Sequence, residues 1–184
     1  MVNMASSQNS NNSLLISEIL DKVHKAKTKS QKVDILRMND SQSLRMILKA
    51  SFDPTKKWVI PSGEVPFTPN DAPIGTEHTV LASEAKKLYH FIEGGDNETK
   101  QSRKENMFIQ MCEGLHESEA KLLIAAKDKR LHQVYKGLSS NVVKEAFDWD
   151  DNFKVRSATD LDGNVISADD AYPQAPGLAS GVDR

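Results

Sequence analysis

Residues 99–131 read TKQSRKENMFIQMCEGLHESEAKLLIAAKDKRL, two amphipathic stretches with almost nothing between them. In the first, Met107, Phe108, Met111 and Cys112 recur at steps of three and four. They therefore share one face of a helix, with Lys100, Arg103 and Lys104 at its N-terminal end. Gly114 is expected to stop that helix in the left-handed conformation. Glu117 and Glu119 then fall in the first turn of a second helix, where negative charge suits the dipole. So short a link makes the two helices a hairpin. In the second helix Leu122, Leu123, Ile124, Ala125 and Ala126 are apolar almost all round, which predicts burial against several neighbours. This is the expected central helix, ending in Lys127, Asp128, Lys129 and Arg130.

Outward from the hairpin the same periodicity recurs. Towards the N-terminus, Ser13 is the expected cap of a helix carrying Leu15, Ile16, Ile19, Leu20 and Val23. Thr28 with Gln31 forms a capping-box pattern ahead of Val33, Ile35, Leu36 and Met38. Asn39 with Gln42 repeats the signal ahead of Leu44, Ile47, Leu48 and Ala50, and Pro54 ends that helix. Segment 56–78 holds four prolines and is predicted to run extended over the bundle, pinned by Trp58, Val59, Ile60 and Phe67. It is either a plain crossover or a peptide-binding groove. Residues 79–93 are predicted as one helix stopped by Gly94 and Gly95, and Ser139 or Ser140 caps a last helix with Val142, Val143, Ala146 and Phe147. The expected fold is all-α: a compact bundle of about seven short helices over 13–147 with a Pro-rich crossover. A disordered arm, 1–12, precedes it and an acidic tail, 148–184, follows. Within the tail, 155–167 fits a small hairpin turning at Asp162 and Gly163, with disorder as the alternative.

The chain has 184 residues, of which 27% are charged and 6% aromatic, with a net charge of −2. From Asp148 onward eight acidic residues face three basic ones, a balance of −5 that leaves the rest at +3. The single cysteine, Cys112, excludes a disulfide framework and reads as a buried thiol more readily than as a nucleophile. His24, His78, His90, His116 and His132 are scattered without metal-ligand spacing. Asp160, Asp162 and Asn164 around Gly163 lack the glutamate that would close a calcium loop. No cofactor, metal site, membrane span or catalytic residue is expected.

What remains is the basic set Lys100, Arg103, Lys104, Lys127, Lys129, Arg130 and Lys136, which could line one edge of the hairpin and contact phosphates. A solvated charged surface is the other reading of the same residues.

The segments at 35–61, 81–95, 103–131 and 135–147 resemble a family of small uncharacterised proteins of large contractile-tailed phages, especially those of marine cyanobacteria. That resemblance, over about 20–147, implies a protein made in the host bacterial cytoplasm and carries no catalytic residue. A more distant likeness connects KTKSQK at 27–32, the crossover near Lys57 and Trp58, and LLIAAKDKRL with its later Gly-Leu turn. In that order these are similar to the N-terminal helical DNA-binding domain of phage ATP-dependent DNA ligases. Asp128 stands where that pattern has Arg-Asp-Leu, the Cys-Gly that usually follows is missing, and so is the adenylating Lys-x-Asp-Gly. The likeness thus implies at most a DNA-gripping module. The expected function is a non-enzymatic accessory protein on duplex or nicked DNA in phage replication, recombination or repair. The alternative is an adaptor that docks a phage or host replication or transcription protein through the acidic tail, or a minor virion component.

Overall fold

The computed structural model describes residues 14–156 apart from 75 and 77, together with the backbone of 158–159 and 165–166. The N-terminal arm, Ser13 and most of the tail lie outside the described residues.

Three short helices open the fold: α1 (Ile16–Lys25), α2 (Lys29–Met38) and α3 (Gln42–Phe52). Ile16, Ile19, Leu20 and Val23 of α1 are buried, as their spacing predicts. Thr28 and Gln31 close the capping box reciprocally, the Gln31 N–H donating to Thr28 Oγ1 at 3.2 Å and the Thr28 N–H to Gln31 Oε1 at 3.3 Å. The expected cap at Asn39 is instead Ser41, whose Oγ accepts from the Leu44 N–H at 3.1 Å. Asn39 is spent on the previous helix, its Nδ2 donating to Ile35 O.

Between α3 and the next helix the Pro-rich strap is fastened along its length. Ile60 is buried and Trp58, Val59 and Phe67 half-buried. Trp58 Nε1 donates to Ala50 O at 2.9 Å while its ring meets Phe108 edge-on. The strap pairs with the chain around Ile92 through Val59 N–H to Phe91 O and Glu93 N–H to Lys57 O. Pairing also explains why 79–93 is not one α-helix. The chain makes a single turn, α4 (Leu81–Glu84), then tightens into a 3₁₀ helix (Ala85–Phe91) whose last carbonyl is engaged by the strap. Such a long 3₁₀ run is unusual without tertiary support.

The hairpin is α5 (Gln101–Gly114) and α6 (Glu117–Lys127). Phe108, Met111 and Cys112 are buried, and burial pushes the Cys112 thiol up to about 12, where it is unreactive. Gly114 does not take the left-handed conformation expected of it. It ends α5 with helical geometry, and a Cβ there would lie 3.1 Å from Thr79 Oγ1, because the Thr79 N–H donates to Gly114 O at 2.8 Å. Close approach, not backbone freedom, explains this glycine. α6 packs against α1, α3, α5 and the one-turn α7 (Leu131–Val134), with Leu122, Leu123, Ala125 and Ala126 buried and Ile124 partly so. It is the central helix.

α8 (Ser140–Phe147) is capped by Ser139 and lies across α2. The core does not stop at Phe147: Trp149 and Phe153 are buried beside it, and Trp149 pairs with Val155. Two aromatic residues within five positions carry the packed chain past the expected boundary, since each removes a large apolar area from water. Further on, β1 (Ala158–Thr159) and β2 (Val165–Ile166) pair antiparallel with Ala158 opposite Ile166. A hairpin is one of the two expectations for this segment, disorder the other, and the turn at Asp162 and Gly163 lies outside the described residues. Among the described residues no helix is long and apolar enough to cross a membrane.

Candidate phosphate-contacting surface

Antiparallel packing of α5 and α6 brings the N-terminal end of α5 beside the C-terminal end of α6. The strap crosses that end of the hairpin, receiving Gln101 Nε2 on Val59 O at 2.7 Å and Lys127 Nζ on Pro61 O at 2.7 Å. Lys100, Arg103 and Arg130 are exposed there. Three of the seven candidate cations, by contrast, are used by the fold itself. Lys104 is buried with its Nζ on Asp96 O. The Lys127 side chain is fully buried, donating to Pro61 O, Gly63 O and Asp128 Oδ1. Lys129 donates to Ala50 O at 2.9 Å and Asp53 O at 2.8 Å, closing the C-terminal end of α3. The Lys127 ammonium, buried with all three donors occupied, cannot also face a phosphate, and Lys104 and Lys129 are turned towards backbone carbonyls of the fold.

Lys129 holds this position at a backbone cost, because its φ is 57°. The Lys129 N–H bonds to Ala126 O and the Arg130 N–H to Ala125 O, the helix-ending pattern that favours glycine. Burial lowers the Lys129 ammonium to about 8. A folded value below the unfolded one makes the unfolded chain hold more protons between about pH 8 and the ordinary lysine range. The stability contribution is therefore present above that range and lost as pH falls through about 8. In Lys129→Met this part of the alkaline rise should vanish, which urea titrations of both proteins from pH 7 to 10.5 will check.

Lys136 sits elsewhere. His24 Nδ1 donates to Lys136 O at 3.2 Å, which brings this exposed lysine to the corner between α1 and α2. That corner reads KVHKAKTKSQK from Lys22 to Lys32, five lysines in eleven residues with no acid. The basic set read from the sequence omitted it, although the run itself was the signal. Lys25 pairs with Asp21 and Lys29 with Glu145, and Lys32 caps α1 by donating to Val23 O and Ala26 O. Gly137, at φ 90°, leaves room for the Lys32 stem, which a Cβ would meet at 2.7 Å. Lys22 and Lys27 are exposed and, like Lys136, Lys100 and Arg103, make no side-chain hydrogen bond or ion pair among the described residues.

The histidines are less scattered than their spacing suggests. His78 and His116 meet edge to face at 5.2 Å, with His78 Nδ1 buried and unpartnered. His90 bonds to Asp96 at 2.6 Å, and Thr99 and His90 together hold the Asp96 carboxyl far below its usual range. Among the described residues no cluster of three metal-ligating side chains forms.

The model of the family of unknown function DUF6433 matches residues 19–133, more than half of the chain. The chain belongs to this family. The matched span runs from α1 through α7 and so includes the lysine corner, the strap and the helical hairpin, while Lys136, α8 and the aromatic closure at Trp149 and Phe153 lie beyond it. No curated protein and no solved structure matches the chain.

Proposed function

We propose that this DUF6433 protein is a non-enzymatic DNA-binding accessory protein of a phage, acting in replication, recombination or repair in the host bacterial cytoplasm. The observation that carries the reading is the set of exposed cations without a protein partner among the described residues: Lys22, Lys27 and Lys136 at one corner, Lys100 and Arg103 at the hairpin end. Cations not consumed by caps or ion pairs keep their donors for phosphate oxygens, which position a protein on a duplex without reading bases. The likeness to the helical DNA-binding domain of phage DNA ligases supports the same reading and adds an expectation of nick preference.

Fluorescence anisotropy of labelled intact duplex, nicked duplex and single strand, at several salt concentrations, tests it. Log affinity should fall linearly with log salt on duplex. Replacing Lys22, Lys27 and Lys136 together by alanine should reduce that slope by about 0.9 for each phosphate contact removed. Titrations that stay flat on all three substrates at low salt would sink the reading and direct the search to protein partners of the acidic tail.

A further inference from the structure

Between α2, α8 and the turn that follows α8 lies a cleft of about 390 Å³. That is within the range of small-molecule sites, roughly 300–1,000 Å³. Its lining is charged, and most of that charge cancels. Lys29 is closed on Glu145 at 2.5 Å, and Lys144 on Asp151 at 3.0 Å, with Asp151 fully solvent-exposed at the rim.

The remaining groups keep some donors or acceptors open among the described residues. Arg37 donates from Nε to Ala146 O at 3.1 Å and from Nη2 to Glu145 O at 2.8 Å, which leaves Nη1 free to face the cleft. Arg156 is held at the wall by its backbone, whose N–H donates to Asp148 O at 2.9 Å. Its guanidinium, like the Asn141 amide and the Asp148 carboxylate, has no partner among the described residues.

We infer that this cleft binds a small organic phosphate monoester. A guanidinium presents a planar fork of N–H donors that fits phosphate oxygens two at a time; Arg156 can offer such a fork here, and Arg37 adds Nη1 and Asn141 an amide donor in the same cleft. The volume exceeds what a bare phosphate fills, so the site has room for the esterified part. Asp148 sits at the end of α8 with φ 57°, its carboxylate an acceptor for hydroxyl or amino groups on that part. Nucleotides and sugar phosphates share this chemistry. The cleft borders the lysine corner through Lys29, but none of the exposed cations proposed for DNA lines it.

Isothermal titration of the full chain at fixed ionic strength, with adenosine monophosphate, glucose 6-phosphate and inorganic phosphate as probes, tests the inference. Adenosine and glucose serve as unphosphorylated controls. At least one ester should bind tenfold or more tighter than inorganic phosphate, and the controls should not bind. The ester that binds assigns the source as nucleotide or sugar. Arg156→Ala removes a side chain that makes no hydrogen bond or ion pair among the described residues, so its melting temperature should match the parent's while ester affinity falls at least tenfold. Lys100→Ala, at the hairpin end, should leave ester affinity unchanged. No ester binding, esters no tighter than inorganic phosphate, retained affinity in Arg156→Ala or an equal loss in Lys100→Ala would each overturn the inference.

Discussion

Lys127→Met should lower the unfolding free energy by about 3 kcal/mol, the scale expected when one partner of a buried, hydrogen-bonded ion pair is removed. Its ammonium is fully buried, and all three of its donors are placed: Pro61 O at 2.7 Å, Gly63 O at 3.1 Å and Asp128 Oδ1 at 2.6 Å. Asp128 Oδ1 also accepts the Gly63 N–H at 3.1 Å. The strap is thereby stapled to the end of the central helix by one cation and one carboxylate. Methionine keeps the aliphatic stem and its packing but leaves two carbonyls without their donor and the carboxylate with only one cation, the more distant Arg130 guanidinium, 3.8 Å away. Water can reach the carbonyls once the strap loosens; the Asp128 side chain, only 6% exposed, stays poorly solvated. Pairing Lys127→Met with Asp128→Asn should therefore cost less than the sum of the two single changes. Urea denaturation at pH 7 measures this, with a two-state analysis suited to a domain of this size. A loss below about 0.5 kcal/mol in the single variant would show that the staple is not structural.

Glu119→Gln should destabilise the fold by about 2 kcal/mol, and Glu119→Ala by about 4 kcal/mol once the lost volume is added. Glu119 is fully buried on the central helix, and its two oxygens accept from the first residues of two different helices. Oε2 receives the Ile16 N–H of α1 at 3.2 Å and Oε1 the Leu81 N–H of α4 at 3.0 Å. Burial raises its pKa, and the backbone N–H groups of Leu81 and Ile16 pull the other way. One carboxylate thus satisfies an orphan donor at each of two helix starts, where negative charge also meets the dipoles. Glutamine has one acceptor and one donor head, so one of the two N–H groups would face an NH₂. Hydrogen exchange gives a local readout: the first-turn amides of α1 and α4 should lose protection together. Loss at one helix alone would mean that the two caps are not shared by this side chain.

Both residues illustrate what periodicity can and cannot convey. Helices α1, α2, α3, α5, α6 and α8 follow from apolar residues at steps of three and four, and the capping box at Thr28 from two residues three apart. Ser41 was missed because Asn39, an equally good cap type, stood two residues earlier, and the choice fell to which side chain the preceding helix had already engaged. The single helix expected over 79–93 broke into α4 and a 3₁₀ run because the strap, about thirty residues away in sequence, takes the Phe91 carbonyl.

The candidate surface shows the same division more sharply. Lys100, Arg103, Lys104, Lys127, Lys129, Arg130 and Lys136 are alike as sequence, each a cation near a helix end. In the fold Lys104, Lys127 and Lys129 are internal donors, while Lys100, Arg103, Arg130 and Lys136 are exposed. The lysine run at 22–32 is legible in the sequence, but only the fold brings Lys136 beside it through His24.

By itself the sequence determined the all-α class, the hairpin of α5 and α6, the central position of α6 and the burial of Cys112. These are consequences of side-chain spacing along a helix, which is a local property. The tertiary structure alone decided which lysines cap helices and which meet solvent, that Gly114 lies tightly against Thr79, and that Trp149 and Phe153 close the core. It also made the charged cleft beside Arg37 and Arg156. Most of these depend on a hydrogen bond or contact between residues far apart in the chain, as with Lys127 and Pro61 or Lys129 and Ala50. The reach of a lysine or arginine side chain lets one charge serve either a distant carbonyl or the solvent, a choice that spacing does not encode.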